Sequence, residues 1–455
     1  MIDLLARTAA VAPDRVAVVT DLGEATYGEL AAEARSVAAA LIERGLSRVA
    51  IVEPDARLVI ALLAGAASAG VEACQYLPDL DPDEFAVQAQ ANGHDQVITR
   101  RSDLVGELID PEALTSGVPT DHGHPGAAVQ QLLILTTGST GQPKAARHDW
   151  RVLAGRLEEV APTPEWRWLL AYGLHQFAGL QVVLHVLASG STLVAPFPRQ
   201  PRDGLRAITE LGVDAVSATP TYWRFLLAEA RGRGATMPPL RQITLGGEAA
   251  SEALLLALRD WFPAARITHV YASTEVGSVL AVNDGRPGFD AALLRSPQRP
   301  EGRLEIRDGE LWVRGSAGMV EYAGQATLAP FSADADGWRP TGDLVEVVGE
   351  RVHFRGRDSE VINVGGVKVH PLPVEERIAA VAGVAMVRVY GRANKLTGAI
   401  VAAEIVAEQG VVPDELRAAV RDAVADLPRA WQPRSLQFVE QIKTVGSKTI
   451  RRVEA

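Results

Sequence analysis

Between Leu133 and Asp149 the chain reads LILTTGSTGQPKAARHD, an apolar run followed by Thr136, Thr137, Gly138, Ser139, Thr140 and Gly141, then Lys144. Glycines let successive backbone N–H groups point the same way, hydroxyls add donors and a lysine neutralises charge, a mixture suited to wrapping phosphate oxygens. Loops of the form G-x-x-x-x-G-K-[ST] set the lysine directly after the second glycine. Here Gln142 and Pro143 intervene, so that loop type is disfavoured.

The loop resembles, nearly residue for residue, the signature of the acyl-adenylate-forming (AMP-binding) superfamily, which includes acyl-CoA synthetases, adenylation domains and luciferases. Further motifs follow in that family's order. VYASTEVG is similar to its Tyr-Gly-x-Thr-Glu segment, with Ala272 in place of glycine and Ser273 at the variable position. The resemblance implies Tyr271 against adenine, Thr274 at the α-phosphate and Glu275 on Mg²⁺, a cation that takes oxygen ligands and keeps several waters. LGGEA, with Gly246, Gly247, Glu248 and Ala249, resembles the adenine-cradling segment. In TGDLVEV, Asp343 resembles the carboxylate that accepts both ribose hydroxyls, a task an ionised Asp suits, and Arg357 resembles its ribose-contacting partner.

DSEVINVGGVKVHPLPVEE resembles the start of the family's mobile C-terminal domain. The resemblance places the hinge at Ser359, where relatives usually carry Asp or Lys, and the path of the acceptor along Gly365 and Gly366. TVGSKTIRR resembles the tail whose lysine bridges the acid and the α-phosphate. Lys448 fills that role, although Gly446 and Ser447 stand in exchanged order. Charge gathers on phosphate oxygens during carboxylate attack, and a positioned cation stabilises it. Lys448, Thr274 and Glu275 are thus the implied catalytic set.

The acid side is less distinctive. LHQFAGLQVVLHVLASGSTLV resembles the o-succinylbenzoate-CoA ligase branch and its aryl-acid relatives, which implies His175, Gln176, Phe177, Gly179 and Tyr222 around the substrate. None of residues 172 to 188 is acidic, which disfavours an amino-acid substrate whose ammonium needs a carboxylate. The PKAARH stretch departs from the family's frequent Pro-Lys-Gly-Val. The expected function is ATP-dependent activation of an aromatic or aryl-alkyl acid through an acyl-adenylate, with ATP, Mg²⁺ and CoA. A carrier-protein thiol, an amine, or nitrite in place of the acid stay open, as does a degenerate relative that binds nucleotide without turnover.

The elements that must position these residues are legible. In TYGELAAEARSVAAALIERG, Leu30, Ala34, Val37, Ala38 and Leu41 recur at three- and four-residue steps, which predicts an amphipathic helix. SRVAIVEPD followed by ARLVIALLAGAASAG predicts strand, turn and helix, and the rhythm returns to about residue 290, which predicts an α/β core with a parallel sheet. From Glu301, EGRLEIRDGELWVRG and DLVEVVGERVHFRGR alternate about Asp-Gly and Gly-Glu turns, predicting a small antiparallel layer. The expected fold is a large α/β N-terminal domain over residues 1–357 and a small mobile α+β C-terminal domain over residues 358–455.

The length of 455 residues suits two or three domains, and the net charge of −11 opposes a nucleic-acid partner. Cys74 is the only cysteine, so neither a disulfide within the chain nor a four-cysteine zinc site exists. No apolar run approaches the roughly 20 residues of a membrane span, and the start MIDLLARTAAVAPDR lacks the features of an export signal. These point to a cytoplasmic protein with a small-molecule partner and no membrane partner.

Overall fold

The computed structural model describes residues 1–117, 131–136, 143–155, 157, 159–295, 302–315, 318–323, 333–408, 410–442, 444–445, 448–449 and 451. The expected mixture of α/β core, antiparallel layer and small α+β region is present. The chain forms two compact units, the first comprising Met1–Ser217, Ala272–Ser278 and Ser316–Pro330, the second the remainder.

The first unit holds a seven-stranded sheet in the order Glu321–Tyr322, Lys144–Asp149, Gln131–Thr136, Glu72–Gln75, Arg48–Val52, Gln96–Thr99 and Glu107–Ile109. Its strands from Gln131–Thr136 to Glu107–Ile109 run parallel. Arg48–Val52 and Glu72–Gln75 are buried nearly throughout, as strands covered on both faces must be. The phosphate-loop motif breaks the parallel run, because Lys144–Asp149 returns antiparallel on Gln131–Thr136. In the same unit Val16–Thr20, Thr192–Val194, Arg167–Leu170 and Ala215–Ala218 form a second parallel set.

Helix Tyr27–Glu43 covers the helix predicted from its periodicity. It begins where Thr26 Oγ1 accepts from Glu29 N at 3.2 Å and Glu29 accepts from Thr26 N at 2.8 Å, a reciprocal cap whose Thr is worth about 1 kcal/mol. Helix Ala56–Ala69 packs against it and is apolar nearly all round, which requires burial on more than one side.

In the second unit Gln242–Gly246 runs parallel to Arg266–Ser273, flanked in sequence by helices Pro220–Gly232 and Glu252–Trp261. The antiparallel layer orders Phe289–Asp290, Arg351–Arg357, Arg339–Val348, Glu310–Arg314 and Arg303–Arg307. Beyond it, Ile362–Val364, Val367–Val369, Val384–Asn394, Gly398–Ala407 and Ser435–Phe438 form a sheet that shares an apolar cluster with helices Pro371–Ala379 and Pro413–Ala423. Ser359 lies in the one-turn helix Asp358–Glu360. No described helix is long and apolar enough to cross a membrane.

Candidate active site

Three of the motif residues converge in the first unit. The short strand Glu321–Tyr322 pairs with Lys144–Asp149, setting Tyr322 opposite Ala146 and Glu321 opposite Arg147. Tyr322 then meets both expected phosphate-side charges. The Lys144 ammonium lies 5.4 Å from its ring centroid, within cation–π reach, and its hydroxyl donates to Glu275 Oε1 at 3.2 Å. Met319 N donates to the Glu275 carbonyl at 2.9 Å. Lys144 and Glu275 are thus held on one aromatic side chain, an ammonium and a carboxylate on the same tyrosine. Thr136 Oγ1 donates to the Lys144 carbonyl at 3.4 Å. Thr137, Gly138, Ser139, Thr140 and Gly141 lie outside the described residues.

Tyr322 was not anticipated, because it lies far downstream, outside any motif, and meets strand Lys144–Asp149 only through strand pairing. Arg147, part of the departure PKAARH, has a structural task. Its guanidinium binds Glu72 at 2.6 Å and Glu321, tying the return strand to both sides.

His148 follows, fully buried, with its ring 5.7 Å from that of Phe177 and near the backbone of Thr274. Burial pushes its imidazole down to about 4. Ser273 Oγ accepts from Val276 N at 3.3 Å, which turns the chain at Thr274 and Glu275, while Ala272 packs against the apolar core.

The acyl-side residues of this unit gather around the start of helix Phe177–Ser189. Gln176 precedes it and accepts from Gly173 N at 3.0 Å. Phe177 is buried. A Cβ on Gly179 would lie 2.2 Å from the Gly173 carbonyl oxygen, and a Cβ on Gly173 would lie 2.3 Å from the His175 ring. Both glycines therefore permit close packing of this segment. Burial, with a smaller contribution from Arg199, lowers the His175 imidazole to about 4. Tyr222 belongs to the second unit and is buried at the start of helix Pro220–Gly232, where Thr219 Oγ1 accepts its N–H at 3.0 Å.

The second unit gathers the expected adenosine-side residues. Asp343 and Arg357 are register partners on neighbouring strands, and Arg357 Nε lies 3.0 Å from Asp343 Oδ1. Tyr271 donates its hydroxyl to Asp343 Oδ2 at 2.5 Å and stacks tilted on Phe354 at 5.1 Å. Burial, then the Asp343 charge, raise the Tyr271 phenol well above its ordinary pKa, so it stays a donor. Each Asp343 oxygen retains a second acceptor direction, which fits a vicinal diol. Gly246 ends its strand, and Gly247 turns with φ 82°, a conformation that favours glycine. Glu248 Oε2 accepts from Thr221 N at 3.1 Å, and Ala249 borders a small cavity.

Gly365 and Gly366 form the turn between Ile362–Val364 and Val367–Val369. The backbone of Lys448–Thr449 pairs with Thr444–Val445; the Lys448 side chain is outside what the structure describes. The donor set fits the implied groups: one carboxylate on a hydroxyl for a largely hydrated Mg²⁺, one carboxylate beside a tyrosine for a nucleoside.

The sequence matches the AMP-binding enzyme family over residues 5–323 and the AMP-binding enzyme C-terminal domain over residues 373–448. The chain belongs to the AMP-binding enzyme family. It is 27% identical to an isonitrile lipopeptide synthase of Streptomyces coeruleorubidus over 99% of this chain, and spans 33% of that relative's length. It is 26% identical to the 2-succinylbenzoate–CoA ligase of Bacillus subtilis (strain 168), over 90% of this chain and 89% of that enzyme. Its fold matches the anthranilate CoA ligase AuaEII in complex with anthranoyl-AMP, with TM-score 0.85, 19% identity and coverage of 99% of this chain and 95% of the other.

Proposed function

We propose that the protein activates an aromatic or aryl-alkyl carboxylic acid with ATP and passes the acyl group to coenzyme A. In the first step a carboxylate oxygen attacks the α-phosphorus, the bond to the β-phosphate oxygen breaks, and pyrophosphate leaves. In the second the thiol sulfur attacks the acyl carbon and AMP leaves with its phosphate oxygen.

The observation that carries this reading is the shared seat of Lys144 and Glu275 on Tyr322. Lys144 neutralises the departing phosphates, and Glu275 holds Mg²⁺, which when bound spreads the charge that grows on them. Asp343 with Arg357 and Tyr271 orients the ribose, Gly246 to Ala249 flank the base, and Thr274 meets the α-phosphate. Lys448 stabilises the attacked phosphate from a domain that begins at residue 358 and rotates about Ser359, bringing Gly365 and Gly366 to the thiol's path. The acyl side carries neutral His148 and His175 beside Phe177, which suits an uncharged aromatic body.

Pyrophosphate release with Mg²⁺ and ATP, measured over benzoate, anthranilate, o-succinylbenzoate, fatty acids, amino acids and nitrite, tests it. The expected result is release with aryl acids and CoA consumption when CoA is added. Release with amino acids or nitrite alone overturns the substrate class; release without CoA consumption, followed by loading of a carrier protein, overturns the acceptor.

A further inference from the structure

The ribbon formed by Thr444–Val445 and Lys448–Thr449 has two strands among the described residues, and its backbone lies beside helix Pro220–Gly232. A two-stranded ribbon is marginally stable by itself, yet a cation serving a transition state has to be held within about 0.5 Å of its place. Something outside the ribbon must fix it.

Arg451, three residues beyond Lys448, has that geometry. Its Nε donates to Glu375 Oε1 at 2.8 Å, and the two side chains are 12% and 7% exposed. Glu375 is itself fixed, because the same oxygen accepts from Val389 N at 2.8 Å. The carboxylate therefore joins helix Pro371–Ala379 to the strand Val384–Asn394 and to the tail at once.

Around this pair, Arg224, Glu248, Ser251 and Glu376 line a small cavity with Arg451. Arg224 donates to Ser251 Oγ at 3.1 Å, and Glu248 is engaged by Thr221 N. Burial opposes the charge on Arg451, but Glu375 beside it raises its pKa above the ordinary value. Burial raises Glu360 and Glu376, and Glu375 is the carboxylate that Arg451 Nε reaches at 2.8 Å. Buried ion pairs are poor sources of net stability because desolvation offsets their attraction. A role in fixing position accounts for one placed here.

We propose that Arg451 is a positioning residue: by pairing with Glu375 it fastens the ribbon that carries Lys448, so that the lysine arrives ordered at the α-phosphate. This rests on the reading of Lys448 given above. The pair predicts a split that general stabilisation does not, with the tail loosened while the body of the C-terminal region keeps its order.

Hydrogen exchange on the full chain tests it without a substrate. Arg451→Met should speed exchange of the Val445 and Thr449 amides while those of Pro413–Ala423 and Gly398–Ala407 stay as in the parent. Glu375→Gln, which keeps an acceptor for Val389 N, should do the same more mildly. With anthranilate and o-succinylbenzoate as probe acids, kcat for pyrophosphate release should fall on the order of 100-fold in Arg451→Met. KM for ATP should be unchanged and Arg451→Lys should recover part of the rate. Unaltered tail exchange, or equal loosening of helix and sheet, overturns the proposal. Lys448→Ala in parallel keeps the two readings apart: retained release there removes the role of the lysine whatever the tail amides do.

Discussion

The nucleotide-side residues and the acyl-side segment are held in opposite ways. Asp343, Arg357, Tyr271, Lys144 and Glu275 are polar and each touches another polar or aromatic group. The acyl-side histidines, His148 and His175, are buried until their charge is suppressed. Under the proposed function, the charged groups assigned to phosphate and ribose are pre-ordered by partners, whereas the histidines assigned to the acyl side are set in packed, apolar surroundings. Perturbation should therefore act through electrostatics on one side and through fit and protonation on the other.

The largest effect is expected at Glu275. Glu275→Gln leaves an acceptor for the Tyr322 hydroxyl but removes the negative charge offered to the metal, so pyrophosphate release should fall by roughly 10²–10³-fold with a raised Mg²⁺ requirement. A Mg²⁺ titration of the variant checks this, and a parent-like titration breaks the comparison on its electrostatic side. Asp343→Ala comes next, weakening ATP binding by about 1–3 kcal/mol through lost charged hydrogen bonds, as read by calorimetry. Unchanged affinity would remove Asp343 from the ribose site.

On the acyl side the expected effect concerns pH and is read in stability rather than in turnover. His148 and His175 sit at about 4 in the fold against 6.5 for the ordinary group. The unfolded chain therefore takes up protons that the fold refuses as pH falls from 6.5 toward 4. Their contribution is complete above 6.5 and is lost below it, each by up to about 1.4 kcal/mol per pH unit. Urea unfolding at pH 7 and pH 5 should show the loss, and His148→Phe should make it shallower. An unchanged slope would mean that His148 titrates normally.

Much of this was legible in the chain. The recurrence of Leu30, Ala34, Val37, Ala38 and Leu41 announces helix Tyr27–Glu43, the strand Arg48–Val52 precedes its helix as its Pro-Asp turn implies, and the Asp-Gly and Gly-Glu turns mark the antiparallel layer. Asp343 and Arg357 carry motif spacing and end as strand partners. Tyr322 and Glu375 were not legible, because neither belongs to a local pattern: one reaches the loop by edge pairing, the other by helix packing. The suppression of charge on His148 was hidden for a similar reason, since it depends on Phe177 and on the core around it rather than on its neighbours in sequence.

Gly173 and Gly179 differ in what a methyl group would encounter. At 179 it meets a main-chain carbonyl, at 173 the edge of an imidazole. A carbonyl in a packed turn has nowhere to retreat, while a side-chain ring has other rotamers. Position 179 is therefore closed to variation, and position 173 is a dial: enlarging it by one carbon asks the His175 ring to move, and if that ring borders the acid as proposed, a single methyl there retunes the pocket without rebuilding it.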